Sequence, residues 1–599
     1  MNFDHIGQMI SANIETYADN PAFQYNDAGE WRTKSYREFG ELIEKTAAAL
    51  VRAGVATGDR VAIFSANRYE WAICDLACIM SGAVSVPIYA TNTKEQASFI
   101  MDNASIDLIF VGDQEQGEKA LFIKEQRSKL QIISYDASSN GNGVTSFNDF
   151  IAATPEAAEL EELSARSGKI NRDDMTTIIY TSGTTGNPKG VMLTHANLIH
   201  QFECVDANFS VSNKDTSLCF LPLSHVYERM WSYYVYLKGA VHTYLSDPKL
   251  VIDTMQVIKP TAMVSVPRLY EKIYSTIMNR QESASPLKKK LFSKAIEVGG
   301  EYNNLFFRDE PISGGLKLKY KFFDKLVLSK VRAVVGGDKN FFSAGGAPLE
   351  KSIEEFFLAC GLLICQGYGL TETAPMVSYN TPASFKFGSV GKIVPGCEVK
   401  IADTGEIMVK GPQVMKGYFN NPQATAEAIE EGWFHTGDIG EFDEDGYLKI
   451  TDRIKDLIIT SGGKNIAPQN IETLVGKDFF IEQIIAIGDR RKFISALVVP
   501  AFEALEEWAK KKKIKYSSME DLTDHPKVID FYKKRIELQS KLLAQYETIK
   551  KFKLLPKPFT MEAGEITPTL KLKRKMINEK FKSIIDGMYH RNTGEEKKD

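Results

Sequence analysis

The sequence has 599 residues, of which 43% are hydrophobic and 25% are charged, and its formal net charge is −4. This composition is that of a globular protein. It excludes a mainly disordered chain and bulk binding of nucleic acid, which requires a basic surface. The length exceeds what one hydrophobic core usually holds, so we expect two or more domains.

The N-terminus lacks the basic and apolar segments of a secretory signal, and the cysteines lack the paired spacing of a zinc site or a disulfide framework. We therefore expect a cytoplasmic protein with reduced, mostly buried thiols. The most apolar stretch, 71–89, contains Asp, Gly and Pro and is too interrupted for a membrane span, so we expect a buried helix, a turn and a strand there. The seven cysteines are Cys74, Cys78, Cys204, Cys219, Cys360, Cys365 and Cys397.

From residue 36 onward, helical segments alternate with short apolar strands. The pattern predicts a helix in YREFGELIEKTAAALVRAG, a strand in RVAIFS, a helix in YEWAICDLACIMSG and a strand in AVSVPIY. Such alternation is typical of α/β layers with largely parallel strands. A further α/β stretch covers 175–394 and is interrupted at 279–330 by a lysine-rich, partly helical segment. After it, VKIADTGEIMVKG predicts a β-hairpin with its turn at 403–405.

The composition changes near Asp452, where the charged run TDRIKD is followed by the glycine-containing ITSGGKNIAP. Such a segment is typical of a hinge at the start of a new domain, and we place the boundary at Lys455. The sequence thus predicts an N-terminal domain at 1–454 and a small α/β C-terminal domain at 455–599, with a disordered polar end.

The strongest local motif is YTSGTTGNPKG, which lies between a predicted strand, MTTIIY, and a predicted helix, HANLIHQF. Small residues let backbone N–H groups approach phosphates, hydroxyl groups add donors, and Lys189 adds positive charge at the expected start of the helix. The spacing is not that of a Walker A loop, which disfavours a nucleotide switch or motor. The motif predicts a phosphate-binding loop, the alternative being a flexible surface loop. The predicted loop residues are Thr181, Ser182, Gly183, Thr184, Thr185, Gly186 and Lys189.

Six further motifs follow this loop in a fixed order. They are LPLSHVYERM, FFSAGGAPL, QGYGLTET, GWFHTGDIG, TDRIKDLIITSGGKNIAPQNIE and GEITPTLKLKRK. The set resembles the adenylate-forming superfamily of acyl-CoA synthetases, acyl-adenylating domains and luciferases, over almost the whole chain. The fold that the resemblance implies is α/β, with layered α/β subdomains and a β-barrel-like subdomain in a large N-terminal domain, and a small mobile C-terminal domain.

The resemblance also assigns nucleotide-binding residues. Tyr368 would stack on adenine, Asp438 would accept hydrogen bonds from the ribose hydroxyls, and Arg453 would bind ribose or phosphate oxygens. Glu372 and Thr181 would be the protein ligands of Mg²⁺. The other expected ATP or AMP contacts are Gly345, Gly346, Gln366, Gly367, Gly369 and Thr371.

Two further residues are expected at the reacting atoms. His225 would orient the acyl carboxylate or move aside for the incoming thiol. Lys571, with Lys189, would neutralise charge on the α-phosphate as the carboxylate attacks. A leucine precedes Lys571 where many relatives have glycine, and basic residues follow at 573–575, so a solvated basic segment is the alternative here.

The implied activity is that of a ligase. ATP and a carboxylic acid would form an acyl-adenylate and pyrophosphate, and coenzyme A would then take the acyl group and release AMP. Between these steps the C-terminal domain would rotate about Lys455. The block from GWFHTGDIG to KNIAPQNIE resembles long-chain fatty acyl-CoA synthetases in particular. Alternatives are a fatty acyl-adenylate ligase that loads an acyl carrier protein, a luciferase-like oxygenase, and a catalytically dead acyl-binding scaffold.

The expected partners follow from this activity. They are a long-chain fatty acid, ATP and coenzyme A, with Mg²⁺ as the metal and no nucleic acid. The lysine and aromatic clusters at 288–292 and 317–323 indicate a weak peripheral contact with the inner membrane surface, against the alternative of a solvated helix face. The sequence does not decide whether the protein forms a homodimer.

Overall fold

The computed structural model describes residues 3–136, 143–181, 188–337, 339–454, 456–461, 464–561, 563–567 and 572–589. The strands are β1 (Pro21–Asp27), β2 (Glu30–Ser35), β3 (Arg60–Ser65), β4 (Val84–Tyr89), β5 (Leu108–Val111), β6 (Gln131–Ser134), β7 (Val144–Ser146), β8 (Met175–Thr181), β9 (Lys189–Thr194), β10 (Thr216–Cys219), β11 (Val241–Tyr244), β12 (Ala262–Met263), β13 (Phe341–Ala344), β14 (Ile364–Gly369), β15 (Met376–Tyr379), β16 (Lys392–Ile393), β17 (Glu398–Ile401), β18 (Glu406–Lys410), β19 (Gly417–Tyr418), β20 (Ile429–Glu430), β21 (Trp433–Phe442), β22 (Leu448–Arg453), β23 (Ile458–Ile459), β24 (Asn465–Ile466), β25 (Ile481–Ile487), β26 (Ile494–Pro500) and β27 (Ile549–Leu554).

The α-helices are α1 (Ile6–Thr16), α2 (Tyr36–Arg52), α3 (Tyr69–Ser81), α4 (Lys94–Asn103), α5 (Gln114–Lys124), α6 (Phe147–Phe150), α7 (Ala157–Ser167), α8 (His195–Asp206), α9 (Val226–Leu237), α10 (Val251–Ile258), α11 (Pro267–Glu282), α12 (Pro286–Phe307), α13 (Gly314–Phe323), α14 (Ser329–Val334), α15 (Lys351–Ala359), α16 (Pro422–Ala428), α17 (Pro468–Gly476), α18 (Phe502–Lys511), α19 (Met519–Asp524), α20 (Pro526–Gln539), α21 (Arg574–Lys580) and α22 (Lys582–Tyr589). None of the described helices combines the length and apolar character of a membrane span.

The first large sheet has eight strands in the order β19-β9-β8-β4-β3-β5-β6-β7. Its strands from β4 to β7 are parallel, as the alternating sequence pattern predicts. On β3, Val61 and Ile63 belong to one hydrophobic cluster, and Ala62 and Phe64 belong to another. Because successive side chains of a strand point to opposite faces, both faces of this sheet are covered, which explains the continuous apolar run of RVAIFS.

The second large sheet has nine strands in the order β16-β15-β14-β13-β12-β10-β11-β1-β2. Its central strands are parallel, and β15 joins β14 in antiparallel orientation. The motif QGYGLTET lies on β14 and the short turn that follows it, at the carboxyl end of the parallel run. Ligands of open α/β sheets bind at that end of the strands.

A third sheet is antiparallel, in the order β17-β18-β21-β20 with β22 paired to β21. Strands β17 and β18 form the predicted hairpin. The described strand pairs of this sheet do not close into a barrel, so the β-barrel-like subdomain that the resemblance implies stays a prediction. Strands β21 and β22 place Asp438 directly opposite Arg453.

The described residues after 456 build their own cores around the three-stranded sheet β25-β26-β27. Among the described residues, the buried members of the clusters in the preceding part end at Leu448, and the partly buried Ile450 packs against them. Polar contacts join the two parts: Arg268 binds the Glu482 carboxylate at 2.9 Å, and Lys477 lies 3.6 Å from Glu350. Lys455 lies outside the described residues, so the domain boundary there stays a prediction.

Several local predictions are confirmed. The helices predicted at 36–54, 69–82 and 195–202 are α2, α3 and α8, and the strands predicted at 60–65, 83–89 and 175–180 are β3, β4 and β8. The apolar stretch at 71–89 is most of α3, a turn and β4. All seven cysteines lie in the described part and have free thiols, and all except Cys397 are buried.

Candidate active site

The predicted phosphate loop joins two antiparallel strands. Thr181, the last residue of β8, is paired with Lys189, the first residue of β9, and Tyr180 is paired with Gly190. The expectation that Lys189 begins a helix is therefore wrong: β9 separates the loop from α8. The reason is that β9 pairs with β8 along its whole length, which buries Val191 and Leu193 in the core. Residues 182–187, which include Ser182, Gly183, Thr184, Thr185 and Gly186, lie outside the described residues.

A short strand joins this loop to the motif QGYGLTET. Tyr418 of β19 pairs with Val191 of β9, so that the Lys189 Nζ atom lies 4.8 Å from the centroid of the Tyr418 ring. The Tyr418 hydroxyl donates a 3.0 Å hydrogen bond to Glu372 Oε1. Lys189, Tyr418 and Glu372 thus form one connected group, although they are far apart in the sequence.

Glu372 is a partly buried carboxylate in a 3₁₀ turn, Thr371–Thr373. Burial raises its pKa above the usual range, and the hydrogen bond from Tyr418 acts in the opposite direction. A positive ion beside this carboxylate would offset the cost of burying its charge. The hard oxygen donors of Glu372 and of the Thr181 hydroxyl are of the kind that Mg²⁺ prefers, so the residues present fit the metal.

A second connected group lies at the junction between the nine-stranded and the antiparallel sheets. The Tyr368 hydroxyl donates a 2.7 Å hydrogen bond to Asp438 Oδ2, and Arg453 Nε donates a 2.6 Å hydrogen bond to Asp438 Oδ1. Asp438 is buried, whereas Arg453 is half-exposed. Burial and the neighbouring Asp438 charge raise the pKa of the Tyr368 phenol, which keeps it a donor. The structure therefore brings three predicted nucleotide-binding residues together.

The backbone between these two groups leaves little room for side chains. A Cβ atom on Gly369 would lie 1.7 Å from the Pro375 carbonyl oxygen, and one on Gly367 would lie 3.1 Å from the Ser378 carbonyl oxygen. The glycines therefore let β14 approach β15 closely. This approach fixes the turn that carries Thr371, which is buried, and Glu372.

The Gln366 amide is engaged within the protein. Its Oε1 accepts a 2.6 Å hydrogen bond from the Leu349 backbone N–H, and its Nε2 donates to Glu354 Oε1 at 3.3 Å. Leu349 ends the turn that begins at Gly345 and Gly346. Gln366 thus holds the FFSAGGAPL segment against β14. Because both ends of its amide are hydrogen-bonded within the protein, the amide is not free for the predicted nucleotide contact.

The turn itself depends on both glycines. Gly346 is exposed and has φ of 81°, a left-handed conformation that favours glycine. A Cβ atom on Gly345 would lie 3.0 Å from the Tyr227 ring, so the ring packs directly on the backbone. The Tyr227 hydroxyl is 2.6 Å from Ser343 Oγ, which links the LPLSHVYERM and FFSAGGAPL motifs.

His225 precedes α9 and caps its N-terminus. Its Nδ1 atom accepts a 3.2 Å hydrogen bond from the Tyr227 backbone N–H. The preceding loop is held by buried side chains, because Leu221 N–H donates to Glu228 Oε2 at 3.2 Å and Leu223 N–H donates to Asn67 Oδ1 at 2.9 Å. These hydrogen bonds orient the imidazole of His225. The role of His225 at the acyl carboxylate stays a prediction.

The predicted catalytic Lys571 lies outside the described residues. Its flanks are described: Ile566 and Leu572 form an isolated β-bridge, and Arg574 begins α21. Arg574 forms a partly buried ion pair with Glu472 and donates to the Ala486 carbonyl oxygen at 3.1 Å. These contacts hold it within the C-terminal part.

Sequence reasoning missed three residues that the site depends on. Tyr418 connects Lys189 with Glu372, Tyr227 packs on Gly345, and Glu354 holds Gln366. Tyr227 lies within the motif LPLSHVYERM, so the sequence itself could have indicated it. Tyr418 and Glu354 lie between motifs, and no sequence spacing marks a contact that depends on strand pairing.

The comparisons with known proteins cover both parts of the chain. Residues 10–419 match the AMP-binding enzyme family, and residues 455–593 match the AMP-binding enzyme C-terminal domain. Long-chain-fatty-acid–CoA ligase FadD15 of Mycobacterium bovis is 37% identical over 593 residues, which cover 98% of this chain and 97% of that protein. Long chain acyl-CoA synthetase 7, peroxisomal, of Arabidopsis thaliana is 33% identical over 96% of this chain and 85% of its own length.

Solved structures share the fold. The adenylation domain of a carboxylate reductase from Mycobacterium chelonae has a TM-score of 0.74 at 21% identity and covers 98% of this chain and 92% of its own. The O-succinylbenzoate coenzyme A synthetase MenE from Bacillus subtilis, in complex with AMP, has a TM-score of 0.65 at 22% identity. It covers 95% of this chain and 97% of its own. At these identities the likeness concerns the fold alone.

Proposed function

The chain belongs to the AMP-binding enzyme family, and from this premise we propose that it is a ligase that activates a long-chain fatty acid with ATP and transfers the acyl group to coenzyme A. The long-chain acid and the coenzyme A acceptor are suggested by the names of relatives that match nearly the whole chain. One observation supports the adenylation step in particular. The short segment 368–372 contains both Tyr368, which donates a hydrogen bond to Asp438, and the carboxylate of Glu372.

In the first step, an oxygen of the fatty acid carboxylate forms a bond to the α-phosphorus of ATP as the bond to pyrophosphate breaks. Tyr368 and Asp438 hold the adenosine part, while Lys189 and Lys571 neutralise charge on the phosphates. Glu372 and Thr181 would hold Mg²⁺, which supplies positive charge to the phosphates when bound. His225 orients the attacking carboxylate.

In the second step, the sulfur of coenzyme A forms a bond to the acyl carbon, the bond to AMP breaks, and the thiol proton leaves to solvent. An acyl-adenylate is reactive enough that no enzyme nucleophile is needed. Rotation of the C-terminal part about Lys455 would remove Lys571 between the steps. That rotation would have to break the Arg268–Glu482 and Lys477–Glu350 contacts.

The absence of an inserted segment near the hinge supports coenzyme A as the acceptor over an acyl carrier protein. Ligases that load a carrier protein typically carry a segment that restrains rotation. Here, β21 and β22 are joined by a short turn between Phe442 and Leu448. The described chain from Asp438 to Asp452 has no room for such a segment.

The test is to incubate the protein with ATP, Mg²⁺ and fatty acids from short to very long, with and without coenzyme A, and to identify products by mass spectrometry. We expect acyl-CoA and AMP only when coenzyme A is present, with the highest rate at long chains. Accumulation of acyl-adenylate with unused coenzyme A would indicate the carrier-protein ligase. No adenylate with any acid, and no exchange of pyrophosphate into ATP, would indicate a dead scaffold.

A further inference from the structure

Three side chains that can bind a metal ion meet at the start of α9. Cys219 is the last residue of β10, His242 lies on the neighbouring strand β11, and Glu228 lies in the first turn of α9. The Cys219 sulfur, a carboxylate oxygen of Glu228 and an imidazole nitrogen of His242 all lie within 4.8 Å of one another. We call these three residues the Cys–Glu–His cluster. It shares no residue with the site that is expected to hold Mg²⁺.

Strand pairing and helix packing bring the cluster together. In the parallel pair of β10 with β11, Ser217 lies opposite His242, and Cys219 follows two residues later on the same face of the sheet. That face is covered by α9, because the Trp231 indole donates a 2.9 Å hydrogen bond to Ser217 Oγ. Glu228 precedes Trp231 by three residues and therefore points to this face too. Because its members come from three elements, no paired spacing marks the cluster in the sequence.

The cluster is fully buried and contains unsatisfied polar atoms. Cys219, Glu228 and His242 are each 0% exposed. His242 Nδ1 has no hydrogen-bond partner within the described part of the chain. Among the same residues, Glu228 Oε1 has none either, apart from the Cys219 thiol, which is a weak donor. Unpaired polar atoms destabilise a buried site, and a cation that accepts a lone pair from each of these two atoms would remove that cost.

A hydrogen bond fixes the protonation of the His242 ring. Ser232 Oγ lies 2.9 Å from His242 Nε2 and donates its own proton to the Glu228 carbonyl oxygen at 2.8 Å. Because the Ser232 proton is used there, Nε2 carries the ring hydrogen and donates it to Ser232, which leaves a lone pair on Nδ1. Burial lowers the pKa of His242 to about 3, so the ring stays neutral. Metal-binding histidines have this form, with the second nitrogen donating to a neighbouring oxygen.

The carboxylate and the thiol are held by the loop that precedes His225. Glu228 Oε2 accepts a 3.2 Å hydrogen bond from the Leu221 N–H, which leaves Oε1 as the oxygen available to a ligand. The Asn67 amide nitrogen lies 3.5 Å from the Cys219 sulfur and donates to the Leu221 carbonyl oxygen at 2.7 Å. All three members of the cluster are therefore oriented before a ligand binds.

We propose that the Cys–Glu–His cluster binds a structural Zn²⁺ ion. Thiolate, imidazole and carboxylate are the side-chain ligands that zinc takes, whereas Mg²⁺ and Ca²⁺ take oxygen ligands. Ligand atoms around a tetrahedral zinc lie roughly 3.5 Å apart, so a cluster that spans up to 4.8 Å would contract by about 1 Å. On binding, Cys219 and Glu228 each release one proton, and their two negative charges balance the ion. A water molecule would complete the tetrahedron.

The ion would connect β10 and β11 to the first turn of α9, which His225 caps. It would fix the loop 220–225, which ends at the histidine that is expected to orient the acyl carboxylate. The zinc site itself rests on the geometry of the cluster, and only its effect on His225 rests on the proposed ligase function. Metal content is measured without any substrate. A protein that holds zinc at the cluster but forms no acyl-adenylate would keep this proposal and overturn the ligase.

The experiment is to purify the full-length protein without a chelator and to measure its metal content by elemental mass spectrometry. Cys219→Ser replaces the thiolate and Glu228→Gln removes the carboxylate charge, each with little change in shape. The matched control is Cys360→Ser, because Cys360 is equally buried and lies outside the cluster. Protein produced in medium with Co²⁺ in place of Zn²⁺ gives a second measurement, since a cobalt ion bound to thiolate absorbs in the near ultraviolet. Thermal unfolding shows which variants fold.

We expect about one zinc ion per chain in the wild-type protein and in Cys360→Ser, and less than about a tenth of that in the two cluster variants. The cobalt-loaded wild-type protein should show the thiolate band, which Cys360→Ser keeps and Cys219→Ser loses. The proposal is overturned if the wild-type protein contains no zinc or shows no thiolate band. It is overturned too if the cluster variants retain as much zinc as Cys360→Ser. Where a cluster variant does not fold, the zinc content and the cobalt band of the wild-type protein decide between these outcomes.

Discussion

The phenol of Tyr368 donates its hydrogen bond to Asp438, and this bond joins the nine-stranded sheet to the antiparallel sheet. The residue expected to stack on adenine is therefore fixed by the residue expected to bind ribose. The hydrogen bond holds the Tyr368 ring and the Asp438 carboxylate in a fixed relative position before the nucleotide binds. Less side-chain entropy is then lost on binding.

Replacing Tyr368 with Phe keeps the ring and removes the bond to Asp438. A hydrogen bond to a charged group contributes about 1.5–3 kcal/mol, so we expect the KM for ATP to rise roughly 10- to 100-fold in pyrophosphate exchange. Tyr368→Ala should raise it further, because the stacking surface is lost too. Equal effects of Phe and Ala would mean that the ring does not contact adenine.

Replacing Tyr418 with Phe changes the pH dependence of adenylation. Burial raises the pKa of Glu372, and the Tyr418 hydroxyl opposes that rise, so removing the hydroxyl should raise the pKa further. The carboxylate form is the one that holds Mg²⁺, so the acid limb of the rate profile should move to higher pH and the Mg²⁺ requirement should increase. The ring stays against Lys189.

The control for this prediction is Tyr447→Phe. Its hydroxyl is 2.8 Å from Ser384 Oγ and lies outside the proposed site. This variant should leave the acid limb where it is in the wild-type protein. If Tyr418→Phe also leaves the limb unchanged, Glu372 is not the titrating metal ligand.

The carboxyl group of Glu354 makes the free energy of unfolding depend on pH. It accepts hydrogen bonds from the Gly388 N–H and the Gln366 amide, but burial outweighs them and raises its pKa from 4.5 to about 8. The folded state therefore binds the proton more tightly than the unfolded state, and stability is lost as pH rises from the unfolded pKa towards the folded one. Glu354→Gln should remove this loss, worth up to a few kcal/mol, when chemical unfolding is followed from pH 4.5 to pH 8.

Glu355→Gln is the matched control, because Glu355 is the exposed neighbour on α15. Its substitution should leave the pH dependence of unfolding unchanged. If Glu354→Gln and Glu355→Gln have identical profiles, the carboxyl of Glu354 ionises normally in the folded protein.

Lys571→Ala should reduce acyl-adenylate formation by about 100-fold, because the lysine would neutralise charge that develops in the transition state. Transfer from supplied acyl-adenylate to coenzyme A should be retained. Lys573→Ala is the control, since Lys573 lies two residues away and its backbone N–H bonds to Glu565. A larger loss in Lys573→Ala would move the catalytic assignment to that lysine.

Lys455→Pro should spare adenylation more than thioester formation. Proline fixes φ and restricts the residue before it, so a rotation about this position would be blocked. The two half-reactions are measured separately, by pyrophosphate exchange and by transfer from supplied acyl-adenylate. Equal losses in both would argue against a hinge at Lys455.

The sequence by itself determined the α/β class and the family. Periodicity distinguished α2, β3, α3 and β4, because those segments bury one stripe or both faces in a regular repeat. The ordered motifs also identified the residues that the structure brings together, such as Tyr368 and Asp438. Motifs carry this information because each is a contiguous segment with its own local backbone requirements.

Only the tertiary structure decided how these segments meet. It showed that Lys189 begins a strand and not a helix, since pairing of β9 with β8 outweighs the local sequence signal. It also identified Tyr418, whose contacts depend on which strand lies beside β9. Such contacts join residues that are distant in the chain, and local spacing contains no record of them.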